Sequence, residues 1–191
     1  MANCADITAN IGKNCTDPLI AGAEDLMVVI KREDWLNASV GVNVSNSQII
    51  ESIVLASGTT GYSYQGMNKS ILPKYELLKT DFSVKYTHEV SFKIFNVSPT
   101  IKKEIEAMAQ GLYVVIIANK YHGTGGNASF EVYGADSGLD LKTMIREVGN
   151  ADLGGAFDLV LTTSEEPNVP KTLFVTNYAA SKVVFDGLYV A

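Results

Sequence analysis

The chain has 191 residues, 47% hydrophobic content and a formal net charge of −6, enough for one full domain with a real core and not the composition of a disordered chain. The longest apolar run, Leu112–Ala118, has seven residues, far short of the ~18 needed to span a bilayer as a helix, and the first residues lack the basic start and apolar stretch of a secretory signal. Residues 131–170 hold eight acids against two bases, a surplus equal to that of the whole chain, so no basic patch favours tight binding of nucleic-acid phosphates.

In chain order, residues 1–24 are polar and rich in Asn, Asp and Gly, and are expected to form an arm ahead of a single β-rich domain at 25–191. Cys4 and Cys15 lie in that arm and are expected as reduced thiols in a reducing compartment. Strands are predicted at Leu26–Ile30, at Ser39–Val44 and at Gln48–Ala56. Ser57–Lys74, with three glycines and a proline, reads as a long loop, and loops of that length in a compact domain are usually functional or disordered. Tyr62, Tyr64 and Met67 point to a contact loop, because aromatics and Met are enriched at interfaces.

Asp81–Phe95 alternates strictly. Phe82, Val84, Tyr86, His88, Val90, Phe92 and Ile94 fall on one face, with polar residues between them. A continuous strand of that length would span roughly 46 Å, against ~17–20 Å for an ordinary strand. Such a strand must bend, break at a bulge or continue onto a neighbouring subunit.

Ser98 as N-cap and Pro99 at the first position predict a helix ended by Gly111, with Ile101, Ile105, Met108 and Leu112 on one face and a Lys102–Glu106 pair outside. Leu112–Ala118 reads as a central strand buried on both faces. A glycine turn at Tyr121–Asn127, a strand at Ala128–Tyr133 and a hairpin pairing Leu139–Val148 with Phe157–Leu161 follow, then strands at Thr172–Thr176 and Lys182–Val190. The sum, about ten strands and one helix, predicts a mainly β fold of two packed sheets, sandwich- or barrel-like, with one flanking amphipathic helix.

The residues offer no chemistry that stands out. His88 and His122 have no local metal partners and are expected to be structural; catalytic residues, metal ligands and cofactor sites are expected to be none. Gly123-Thr124-Gly125-Gly126 lacks the third glycine of a dinucleotide fingerprint and precedes a strand, so it reads as a turn.

The segment Leu112–Pro170 carries the apolar strand, then Asn119-Lys120-Tyr121-His122-Gly123-Thr124-Gly125-Gly126-Asn127. Phe130-Glu131-Val132-Tyr133-Gly134, Gly138-Leu139, a Gly-Gly-x-Phe turn at Gly154–Phe157 and Ser164-Glu165-Glu166-Pro167 follow. It resembles virion proteins of tailed bacteriophages and prophages of gut Bacteroidetes, in particular major tail (tail-tube) proteins. The resemblance implies a non-enzymatic virion subunit, assembled in the host cytoplasm without a membrane anchor. Hexameric rings would stack into a tube through which DNA passes, in contact with other tail proteins. It implies that Tyr62, Tyr64 and Met67 lie at ring-stacking contacts and that Val84, Tyr86, His88, Val90 and Phe92 belong to a sheet shared between subunits. Asp152, Asp158, Glu165 and Glu166 would present an acidic surface towards the lumen. Alternatives are another phage neck, ring or decoration protein, or a carbohydrate- or host-surface-binding β-sandwich.

Overall fold

The structure is a computed structural model that describes residues 19–67, 69–151 and 153–190. Both cysteines and the greater part of the expected N-terminal arm lie outside the described residues.

The fold is mainly β and is organised around the most apolar segment of the chain. In order, the strands are β1 (Ala23–Lys31), β2 (Ser39–Val42), β3 (Ile49–Val54), β4 (Tyr62–Gln65), β5 (Ile71–Lys79), β6 (Val84–Ile94), β7 (Leu112–Asn119), β8 (Phe130–Tyr133), β9 (Leu139–Ile145), β10 (Phe157–Glu166) and β11 (Lys171–Leu173). The helices are α1 (Arg32–Leu36), α2 (Pro99–Met108) and α3 (Tyr178–Asp186).

β7 is the hub. Along one edge it pairs antiparallel with β1, from Ala23↔Asn119 to Lys31↔Tyr113. Along the other it pairs with β8 over Val115–Ala118 and with β9 over Leu112 and Tyr113. The sheet therefore branches: one limb runs β9–β10–β6–β5, the other β8–β11–β3–β2, and β4 adds to the free side of β1. Because successive side chains point to opposite faces, β1 and β7 feed two cores. Met27, Val29, Val115 and Ile117 join Phe92, Leu159, Leu161 and the buried face of α2 (Ile105, Met108). Val28, Ile30, Val114 and Ile116 join Ile50, Leu173, Trp35 of α1 and Phe185 of α3. A continuous apolar run is what burial on both faces requires.

The helix α2 forms where its caps predict: the Ser98 hydroxyl accepts from the Ile101 amide, and Pro99 opens the first turn. Lys102 and Glu106, however, form no ion pair. Two further helices depart from the single expected one. The predicted strand Lys182–Val190 does not form: residues 182–186 are the second half of α3, capped by the Asn177 side chain, which accepts from the Ala180 amide at 2.9 Å. Residues 187–190 leave it through a turn, Tyr189 making an isolated bridge to Gly61. A Lys182–Asp186 pair at 2.6 Å, one turn apart, adds to the helix. The β-branched run Val183-Val184 favours a strand locally, but the cap and burial of Phe185 override that preference.

The expected loop Ser57–Lys74 contains strand structure. β4 pairs with β1 from Leu26↔Gln65 to Val29↔Tyr62, and β5, which begins at Ile71, pairs with β6 from Ile71↔Phe92 to Lys79↔Val84. Pro73 is tolerated in β5 because β5 is the edge of its limb. The long alternating segment is unbroken but shorter than expected: β6 has eleven residues, roughly 33 Å, and Thr80–Ser83 forms the turn that leads into it, the Thr80 amide donating to the Ser83 carbonyl at 2.9 Å.

Candidate self-assembly surface

Tyr62, Tyr64 and Met67 converge on one groove. Tyr62 and Tyr64 are two apart in β4 and share a face. Tyr64 turns inward, edge-on to Phe92 with ring centroids 5.8 Å apart, while Tyr62 and Met67 are about half exposed, at 48% and 50%. A tight turn fixes Met67: its amide donates to the Ser70 hydroxyl at 2.9 Å, and the Gly66 amide donates to the Asp25 carbonyl at 2.9 Å. With Ile71, Ile94 and Ile101 these residues line a cavity of about 760 Å³ between β4, the end of β6 and α2. Glu104 of α2 stands in its wall. Burial, helped by Glu104, pushes the Tyr64 phenol up to about 12, so it remains a neutral hydrogen-bond donor in this groove.

The long strand is interior to the sheet of its own chain. β10 pairs with β6 from Phe157↔Ile94 to Glu166↔Tyr86, and β5 covers the opposite edge. With both edges occupied by strands of its own chain, β6 offers no ladder to a second subunit. Among the described residues, the open edge of this limb belongs to β5. Nor is the apolar face of β6 uniform: His88, Val90 and Phe92 are buried, Tyr86 is half-buried, and Val84 is exposed.

The outer part of the β5–β6 hairpin forms an arm. Tyr75, Leu77 and Val84 are exposed on the face continuous with the core, and Phe82 at the tip is 99% exposed. Sequence reasoning missed Tyr75 and Leu77, because Pro73 and the neighbouring Leu72 and Leu78 obscure the alternation that starts at Ile71.

His88 anchors the inner end of the arm. Its Nδ1 accepts from the Gly134 amide at 3.2 Å and its Nε2 donates to the Asn168 carbonyl at 3.0 Å, which fixes one neutral tautomer. Burial pushes the imidazole down to about 4, against smaller upward pulls from Asn168 and Asp136. The Tyr75 and Tyr133 rings pack edge-on against it.

The acidic surface is also redistributed. Glu166 is 1% exposed. A bulge near the end of β10 turns it inward, where its carboxylate accepts from the Ser137 amide at 2.7 Å and the Asp136 amide at 3.3 Å. Burial raises its pKa, and those amides partly oppose the rise. Asp158 pairs with Lys93 at 3.4 Å, and exposed Glu165 pairs with Lys85. Asp152 lies outside the described residues.

The glycine turn is structural. Gly126 has φ +94°, and a Cβ there would lie 2.6 Å from the Tyr178 backbone nitrogen, so this turn is the seat of α3. His122 Nδ1 lies 3.1 Å from the Ser129 hydroxyl, and its ring packs on Tyr178. Among the described residues, no three His, Cys, Asp or Glu side chains cluster as metal ligands would, and no helix is long and apolar enough to cross a membrane. Comparisons with protein-family models, curated proteins and solved structures find no match.

Proposed function

We propose that this chain is a non-catalytic structural subunit that assembles with copies of itself, in the manner of a phage tail-tube protein whose rings stack into a conduit for DNA. The observation that carries this reading is the β5–β6 arm. β10 backs β6 only as far as Tyr86. Beyond it the hairpin is a two-stranded ribbon, at best marginally stable in water on its own, yet it holds Val84 and Phe82 out in solvent, continuous with exposed Tyr75 and Leu77, beside an edge of β5 that is unpaired among the described residues. Contiguous exposed apolar surface marks a protein-interaction site, and an open edge is a template for another chain unless it is covered. Homo-oligomers of closed symmetry are the commonest solution.

The proposal extends to a virion location and to contacts with other tail proteins. It does not lean on an acidic lumen, because Glu166 is internal and Asp158 and Glu165 are paired with lysines. The same arm would serve a neck or decoration ring. Negative-stain microscopy of the purified protein tests the reading: rings or tubes of uniform diameter are expected, and fields of single 20.6 kDa particles at every concentration would remove it.

A further inference from the structure

We propose that the arm of one copy docks its Phe82 tip into the Tyr62–Tyr64–Met67 groove of a second copy, so that subunits join head to tail. The inference rests on the self-assembly reading and adds to it the two surfaces that meet.

Tip and groove lie at opposite ends of one strand. Phe82 precedes the first residue of β6, and Phe92 and Ile94 in the groove are at its last turn of the pleat. About 33 Å of strand separates them, so no copy fills its own groove. Among the described residues, every copy therefore presents one free tip and one free groove. A contact between unlike surfaces of identical subunits repeats, closing into a ring if the rotation allows it and growing as a filament if not.

Size and chemistry agree. The groove holds about 760 Å³, within the ~300–1,000 Å³ range of sites that bury an organic group. Met27, Tyr64, Ile71 and Phe92 give it an apolar floor, suited to a fully exposed aromatic ring. The charges are complementary. Lys79 and Asp81 flank the tip, and neither has an ion-pair partner among the described residues. The groove offers Glu104 to Lys79, and Glu104 likewise has no ion pair among the described residues. Lys93, the cation that lines the groove, is already engaged by Asp158.

A mixing experiment tests this. Phe82→Asp blocks the tip, and Met67→Glu with Glu104→Lys blocks the groove; all three positions are exposed. Native mass spectrometry of the wild-type protein is expected to show species larger than a dimer. Each variant alone is expected at 20.6 kDa, and an equal mixture at the heterodimer mass and no larger, since only one intact tip meets one intact groove. Variants that assemble as the wild type does would overturn tip-to-groove docking while leaving self-assembly standing. A mixture that fails to dimerise would do the same. A wild-type protein that stays monomeric would overturn both.

Discussion

Phe82 and Phe92 belong to one uninterrupted alternation on the same face, yet Phe92 is 1% exposed beneath the ring of Tyr64 and Phe82 is 99% exposed beyond the start of β6. The strand passes from core to solvent along its own length. Phe92→Ala is expected to cost about 3–5 kcal/mol, the range for a buried aromatic truncated in a core, whereas Phe82→Ala is expected within about 0.5 kcal/mol of wild type. Urea unfolding of the two variants under conditions where each is monomeric measures the contrast. Equal losses would show that the arm packs on its own domain.

Tyr62 and Tyr64 separate in the same way. Tyr64 packs against the core and Phe92, so Tyr64→Ala is expected to destabilise the monomer by about 3 kcal/mol. Tyr62 is half exposed, so Tyr62→Ala leaves stability within about 0.5 kcal/mol while weakening assembly. Thermal melts read the first effect and the sedimentation coefficient reads the second. A Tyr62→Ala protein that assembles normally would place the contact elsewhere.

His88 gives the fold a pH dependence of definite sign. Its imidazole titrates near 6.5 in an unfolded chain and at about 4 in the folded one. Above pH 6.5 it is neutral in both states, and its contribution is complete. Between 6.5 and 4 only the unfolded chain takes the proton, and about 3 kcal/mol is lost. Glu166 acts in the opposite sense: its raised pKa means that protonation favours the folded state as pH falls through its range. His88→Gln is expected to be less stable at pH 7 but to lose less between pH 6.5 and 4. Guanidinium titrations across that window provide the check. A steeper loss in the variant would contradict the assignment.

Two adjacent glycines distinguish strain from collision. Gly125 has φ +68° and open space around a Cβ, whereas at Gly126 the Cβ would strike the Tyr178 backbone. Gly125→Ala is expected to cost about 1–2 kcal/mol, the penalty of a left-handed residue with a side chain. Gly126→Ala is expected to cost more, because α3 must shift off the turn. Differential scanning calorimetry ranks the two, and an equal pair of melting temperatures would mean that α3 is not seated there.

What the sequence made legible follows the strength of local signals. β7 was readable because Leu112–Ala118 is apolar on every residue, and α2 because Ser98-Pro99 caps it. The branch at β7 was not, since pairing with both β8 and β9 depends on the turn between Gly134 and Gly138 and on long-range register. β4 and β5 were hidden by glycines and Pro73, and α3 by its Val183-Val184 pair, although Asn177 offered an N-cap. Tyr62, Tyr64 and Met67 stood out by residue type in a glycine-rich segment. That Phe92 and Glu104 complete their groove required the fold. The inward turn of Glu166 depends on a bulge that composition does not reveal.

Sedimentation velocity of the wild-type protein over a wide concentration range tests self-assembly most directly. The account predicts a weight-average mass that rises with concentration to multiples of 20.6 kDa, and that falls back to the monomer when Phe82 is replaced by Asp. A single 20.6 kDa boundary at every concentration would contradict it.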